Sequence, residues 1–200
     1  MKKTKLNLLL KENLKLEECF AKLILDTYFS DRYGKIFIED KPDLRSRKKI
    51  GIEVTSCIPP EIRVKHKNWF LPIASERETN FRCLYKAIKR KLPKINNGSY
   101  ANSLKYDLFI FSNLDIEGNL KRILRQVVFI NNSFSVGFSY IYVVGYNKKI
   151  AIFDLKNKKY KKIDIEKNEN LFLKKSQKMV FEGRLSKESN FKIRYNYHSI

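Results

Sequence analysis

The sequence predicts an α/β fold in which amphipathic helices cover a mixed β-sheet. Short runs rich in β-branched and aromatic residues indicate buried strands, and longer segments with apolar residues at helical spacing indicate helices. Along the chain these segments follow the order αβββαβαβββ. Mixed order combined with amphipathic helices is typical of an α/β sandwich.

The first half of the chain is predicted to contain two helices and three strands. The first helix spans roughly residues 14–29 and has apolar residues on two sides, which indicates more than one covering neighbour. Strand-like runs follow at 35–38, 42–44 and 50–55, and the prolines between residues 59 and 74 indicate a long loop. The second helix is predicted to begin at a capping box, Ser75 to Glu78, and to stop at Pro93.

The second half completes the predicted sheet. A buried strand is expected at 106–112, a helix at 117–129, and three antiparallel strands at 139–145, 149–155 and 160–165. Residues 166–200 show weak periodicity. We therefore divide the chain into an α/β domain, residues 1–165, and a C-terminal extension, residues 166–200.

The chain is strongly basic, with 42 Lys and Arg against 21 Asp and Glu and a net charge of +21. Such a charge indicates a polyanionic partner, most often nucleic acid. The excess of Lys over Arg also fits the codon usage of an AT-rich genome, so general basicity without a nucleic-acid partner is the alternative explanation.

Several protein classes are excluded by composition. No apolar run approaches the ~18 residues of a membrane span, so we expect no membrane association. The three cysteines are scattered without CxxC spacing, which predicts reduced thiols in a cytoplasmic protein rather than a disulfide scaffold. With two histidines in the chain, a zinc site is not expected.

Two acidic residues are the strongest candidates for chemistry. Glu53 lies among Ile50, Ile52 and Val54 in a predicted interior strand, where a charged residue needs a partner or a metal. Asp43 can reach the same point if the chain turns at residues 45–48. Two converging carboxylates repel each other unless a cation bridges them, and Mg²⁺ or Mn²⁺ suits oxygen ligands. The alternative is that Asp43 caps a turn and Glu53 forms a salt bridge with a neighbour.

These residues resemble the PD-(D/E)xK, or restriction-endonuclease-like, nuclease superfamily. The matching features are Pro42-Asp43, then Glu53-Val54-Thr55 at the end of an apolar strand, and the αβββαβ order over residues 14–112. The resemblance implies Mg²⁺-dependent phosphodiester hydrolysis with Asp43 and Glu53 as metal ligands. An acid on the first helix would assist; Glu18 is preferred to Glu17, with a solvated acid as the alternative for both.

The sequence departs from this family at Thr55, which occupies the position of the motif lysine. That lysine orients or activates the attacking water, and Thr supplies no charge. Either a lysine arrives from elsewhere, or the site is weakened or inactive. The substitutes that we consider are Lys86 and Arg82 on the second helix and, nearer in sequence, Lys41 and Lys49.

A basic stripe on the second helix is the candidate nucleic-acid contact. Arg82, Lys86 and Arg90 recur at a spacing of four residues, and Lys89 is adjacent. Such a stripe can follow phosphates, although it is equally the pattern of a solvated helix face.

The sequence therefore predicts a Mg²⁺-dependent endonuclease that acts on duplex DNA, in a setting of restriction, phage defence or mobile-element maintenance. By resemblance, it is expected to form a homodimer. The first alternative is a catalytically inactive nucleic-acid-binding protein that keeps the nuclease fold. The second is a structural or interaction protein.

Overall fold

A computed structural model describes residues 16–39, 42–58, 77–97, 100, 105–112, 114–145 and 147–195. The long loop predicted over residues 59–74 and the capping Ser75 lie outside the described residues, as do Lys41 and the first residues of the predicted first helix.

Five helices and seven strands are assigned in the described residues. The helices are α1 (residues 16–28), α2 (Ser30–Tyr33), α3 (Arg77–Asn96), α4 (Leu120–Asn131, after a 3-10 turn at Glu117–Asn119) and α5 (Glu166–Tyr195). The strands are β1 (Ile36–Ile38), β2 (Leu44–Ser46), β3 (Ile50–Ser56), β4 (Lys105–Phe111), β5 (Tyr140–Val144), β6 (Lys149–Asp154) and β7 (Lys159–Asp164).

The strands form one mixed seven-stranded sheet in sequential order, β1 to β7. Strands β1, β2 and β3 form an antiparallel meander, and β5, β6 and β7 form a second one. Between them, β4 runs parallel to both β3 and β5. The predicted α/β class, with a mixed sheet flanked by helices, is confirmed.

Alternation along the strands divides the core between the two faces of the sheet. Ile52 and Val54 of β3 pack with the buried residues of α1 and with Phe172 of α5. Leu108 and Ile110 of β4 pack with the buried residues of α3 and α4. The apolar periodicity of each helix therefore sets which side of that helix turns towards the sheet.

Helix α5 is a finding that the weak periodicity of residues 166–200 did not predict. Its residue Phe172 is buried, and the Phe172 ring meets the rings of Phe20 at 6.1 Å and Tyr28 at 6.2 Å, both on α1. The start of the segment that we assigned to an extension thus contributes to the core.

Within the described ranges, every helix is too short or too polar to span a bilayer.

A buried ion pair ties α2 to the centre of the sheet. Asp107 of β4 is fully buried and accepts hydrogen bonds from Arg32 Nη2 at 2.7 Å and from the Tyr33 hydroxyl at 2.7 Å. The Tyr140 backbone N–H also donates to Asp107, at 2.9 Å. Because several donors surround this carboxylate, we interpret it as a structural link rather than as a reactive group.

Three sheet turns place a lysine in the left-handed region of φ. Lys49 lies between β2 and β3, Lys148 between β5 and β6, and Lys158 between β6 and β7, with φ of 59°, 58° and 52°. This region suits glycine or asparagine better than lysine. The turns therefore present positive charge at some conformational cost.

Candidate active site

The candidate site begins at β3, which is buried along its whole length. Its alternation directs Ile52 and Val54 towards the α1 face, whereas Glu53 is bound by groups on the α3 face. Glu53 is 1% exposed. A carboxylate in this position requires compensating partners, because burial without them is energetically costly.

Asp43 reaches Glu53 because Pro42 fits over a glycine. A Cβ atom on Gly51 would lie 2.8 Å from Pro42 Cγ and 3.0 Å from Tyr106 Cδ1, so a larger residue would displace the Pro42 ring. The close approach holds Asp43 against β3, where its Oδ2 accepts the Val54 backbone N–H at 2.7 Å. The small residue at 51 therefore sets how closely Asp43, just before β2, approaches Glu53 on β3.

Lys91 of α3 supplies the cation that the two carboxylates need. Its Nζ lies 2.6 Å from Glu53 Oε2 and 3.3 Å from Asp43 Oδ2. The lysine itself is 8% exposed. One buried ammonium group thus contacts both acids, and the three side chains carry a net charge of −1 when all are ionised.

A tyrosine completes the environment of Glu53. The Tyr100 hydroxyl donates to Glu53 Oε1 at 2.5 Å, and Tyr100 is buried. Burial and the hydrogen bond to Glu53 both raise the pKa of Tyr100, so its proton remains available to donate. The pKa of Asp43 is also raised, chiefly by burial, with Lys91 opposing the rise and Glu53 adding to it.

Thr55, at the position of the motif lysine, has an arginine partner from the same helix. Arg90 Nη2 donates to Thr55 Oγ1 at 2.7 Å, although Arg90 is otherwise exposed. Two consecutive residues of α3, Arg90 and Lys91, therefore bring positive charge to the side of β3 where Thr55 provides none. Helix α3 supplies the charge that the strand lacks.

The predicted substitute lysine, Lys86, is exposed on α3, and the amine that contacts both carboxylates belongs to Lys91. The spacing of apolar residues along α3 could have identified Lys91. Residues 84, 88, 91, 92 and 95 form the buried stripe of α3, so Lys91 interrupts an apolar face at helical spacing. A lysine in such a stripe needs an anionic partner.

The predicted helical acid lies in a different layer. Glu18 is half-buried on α1, and α1 packs against the face of the sheet that carries Ile52 and Val54. The neighbouring Glu17 is fully buried. The structure therefore places Glu53 with α3 and places both acids of α1 in the other helical layer.

The donor set suits a hard divalent cation. No cluster of three or more His, Cys, Asp or Glu side chains suited to a metal is found among the described residues. Mg²⁺ does not require one, because proteins usually hold it through one or two carboxylates, with waters and substrate phosphates completing the octahedron. Asp43 and Glu53 are the residues that could hold such an ion, in exchange for part of the contacts that Lys91 and Tyr100 make with Glu53.

The predicted basic stripe is exposed on the outer surface of the same helix. Arg82, Lys86, Lys89 and Arg90 are all exposed, and Arg90 also contacts Thr55. The stripe therefore occupies the solvent-facing side of the helix whose buried side carries Lys91, and Arg90 is the member of the stripe that reaches β3.

Comparison with protein-family models, with curated proteins and with solved structures finds no match to this chain. Its functional interpretation consequently depends on the geometry and chemistry of Asp43, Glu53, Lys91 and their surroundings.

Proposed function

We propose that the protein is a metal-dependent nuclease with a restriction-endonuclease-like core. The observation that carries the proposal is the convergence of Asp43, Glu53 and Lys91 on one point of the sheet. Two carboxylates and one amine are the groups that the PD-(D/E)xK resemblance implies, and here the amine comes from α3 instead of from position 55.

The order of elements supports the same proposal. Helix α1 precedes the antiparallel meander β1–β2–β3, and α3 then leads to β4, which pairs with β3 in parallel. This is the αβββαβ arrangement that the resemblance implies, with β5, β6 and β7 added at the far edge. The acids lie on β3 and immediately before β2.

Each residue has a defined role in the proposed phosphodiester hydrolysis. Asp43 and Glu53 would hold Mg²⁺ or Mn²⁺, which when bound would polarise the phosphate and lower the pKa of water. Lys91 donates hydrogen bonds to the carboxylates and lies where its charge offsets that of a phosphate. Tyr100 orients Glu53 through Oε1, and Arg90 adds a second positive charge beside Thr55. The substrate in this proposal is duplex DNA.

A catalytically inactive nucleic-acid-binding protein is the second candidate function. The salt bridge between Lys91 and Glu53, at 2.6 Å, favours it because this contact and the Tyr100 hydrogen bond together satisfy both oxygens of Glu53 without a metal. In that case α3 binds nucleic acid through its exposed basic stripe. The triad formed by Asp43, Glu53 and Lys91 then only stabilises the fold.

Plasmid nicking with Mg²⁺ and Mn²⁺ distinguishes the two candidates. We expect Asp43→Asn and Glu53→Gln to abolish cleavage and to leave DNA affinity unchanged or higher, because each removes a negative charge near phosphate. Asp31→Asn, an exposed acid on α2, is the matched carboxylate-to-amide control and keeps cleavage. Cleavage by both carboxylate variants at the wild-type rate, or no cleavage by the wild-type protein with either metal, contradicts the nuclease proposal.

A further inference from the structure

An open cleft lies between the start of α4 and the edge strand β7, away from the Asp43–Glu53 site. Its volume is about 560 Å³. Lys121, Arg122, Arg125 and Gln126 line one side, together with residues 117–120, and Tyr160 of β7 lines the other. The cleft is therefore basic and polar, with one aromatic wall.

The acidic residue that lines the cleft, Glu117, forms ion pairs with two lysines. Glu117 Oε1 lies 2.8 Å from Lys149 Nζ and 2.6 Å from Lys162 Nζ, so two ammonium groups compensate one carboxylate. Their hydrogen bonds lower the pKa of Glu117 to about 2. The surrounding charge consequently remains positive.

The two faces of the sheet differ in charge. Helix α4 contains no acidic residue, and α3 contains a single acid, Glu78, among its many basic residues. On the opposite face, α1 has acids at positions 17, 18 and 26 and one basic residue, Lys22. The same face also carries α5, which has eight basic residues against four acids. The net charge of the helices is still higher on the side that holds both the cleft and the stripe of α3, at +9 for α3 and α4 together against +2 for α1 and α5.

Exposed aromatic rings accompany this charge. Phe129 is 73% exposed, and it shares one helical stripe of α4 with Arg122 and Arg125 at positions i, i+3 and i+7. Tyr160 is 38% exposed and pairs with Phe153 of β6, whose side chain packs on the α4 side of the sheet. Rings left in water beside arginines are the elements on which unpaired bases stack.

We propose that this cleft binds an unpaired segment of a nucleic-acid strand. Lys121 and Arg125 contact its phosphates, and Tyr160 stacks on a base in the cleft. Phe129, about one helical turn beyond the lining of the cleft, stacks on a base that extends out of it. A duplex keeps its bases paired and stacked, so it cannot use the two rings in this way. The choice of nucleic acid as ligand rests on the proposed function, but binding in the cleft requires neither metal nor cleavage.

The test measures the binding of labelled oligothymidylate and of a duplex of equal length by fluorescence anisotropy, in EDTA. We expect Tyr160→Ala and Phe129→Ala each to weaken oligothymidylate binding by about tenfold, with a much smaller effect on the duplex. Arg125→Gln should reduce the slope of log affinity against log salt by about 0.7, the value for one phosphate contact on a single strand. Lys174→Gln, at an exposed position of α5, is the matched charge control, and melting curves confirm that each variant folds.

The outcomes separate this proposal from the nuclease proposal. Wild-type affinity for oligothymidylate in the Tyr160→Ala/Arg125→Gln double variant overturns the cleft proposal, whatever the nicking assay shows. If the wild-type protein cuts no DNA but the cleft variants lose oligothymidylate binding, the cleft proposal is supported. In that case only the nuclease proposal is contradicted. A third outcome is that polyglutamate displaces oligothymidylate and Tyr160→Ala has no effect on oligothymidylate binding. This result assigns the cleft to an acidic polypeptide and overturns the proposal.

Discussion

Replacing Lys91 by methionine tests the electrostatic balance of the Asp43–Glu53–Lys91 triad. Methionine keeps much of the length and apolar stem of lysine but removes the ammonium group that contacts Glu53 at 2.6 Å and Asp43 at 3.3 Å. The two acids then face each other without a cation. Removing one partner of a buried ion pair costs about 3–5 kcal/mol.

The lower end of that range applies here, because the Asp43 side chain is 20% exposed and water can reach it. We therefore expect a loss of about 3 kcal/mol in the free energy of unfolding. For a chain of this length, each 1 kcal/mol lowers the melting temperature by about 2–4 °C, so the expected decrease is about 6–12 °C. Lys86→Met, on the exposed side of α3, should change stability by less than about 0.5 kcal/mol.

The assay is thermal unfolding with and without Mn²⁺. A divalent cation restores the missing positive charge, so Mn²⁺ should raise the melting temperature of Lys91→Met by more than it raises that of the wild-type protein. Adding Glu53→Gln to Lys91→Met should recover part of the lost stability, because the repulsion with Asp43 is removed. On the scale of ~2–4 °C per kcal/mol, a melting temperature within ~1 °C of the wild type means that Lys91→Met costs less than about 0.5 kcal/mol. That result refutes the reasoning.

Three further changes test other parts of the structure. Gly51→Ala introduces a Cβ 2.8 Å from the Pro42 ring and should cost about 1–3 kcal/mol in chemical denaturation, whereas Gly118→Ala, which meets no atom within 4 Å, should cost far less. Tyr100→Phe leaves Glu53 Oε1 without its proton donor, so it should lower stability by about 1–3 kcal/mol in the same assay and slow plasmid nicking. Glu117→Gln tests a pH dependence: because the pKa of Glu117 falls from 4.5 to about 2 on folding, its stabilisation is complete above pH 4.5 and disappears as pH falls towards 2. The melting temperatures of wild type and Glu117→Gln should therefore differ at pH 6 and converge near pH 2, and a constant difference would contradict this assignment.

The secondary structure and class of the sheet could be predicted because each element carries its own periodicity. Strand β3 is an example: β-branched residues flank a single acid, and the structure buries the whole strand. The two hairpins that join β5, β6 and β7 were predicted as antiparallel strands and are confirmed. Local patterns of this kind require no knowledge of distant partners.

The partner of the two acids was harder to predict, because it depends on how α3 is rotated over the sheet. The sequence pointed to this helix as the source of a substitute lysine, but the choice of Lys86 relied on its exposed basic stripe. A group that neutralises buried carboxylates must lie on the buried stripe, where Lys91 is. Helix α5 was missed for a related reason: between residues 166 and 182, where its side chains are described, the buried residues are Glu169, Phe172 and Ser176, of which one is apolar.

The sheet topology has a consequence for the order of folding. The meander β1–β2–β3 and the meander β5–β6–β7 are made of contacts between sequence neighbours, so their loops close at little entropic cost. The parallel pairing of β3 with β4 must instead wait until the chain has crossed over through α3. We therefore expect Asp43 and Glu53 to meet within the first meander before Lys91 packs against them. We expect their repulsion to slow the early step, and neutralising either acid should accelerate refolding even where it weakens the native state.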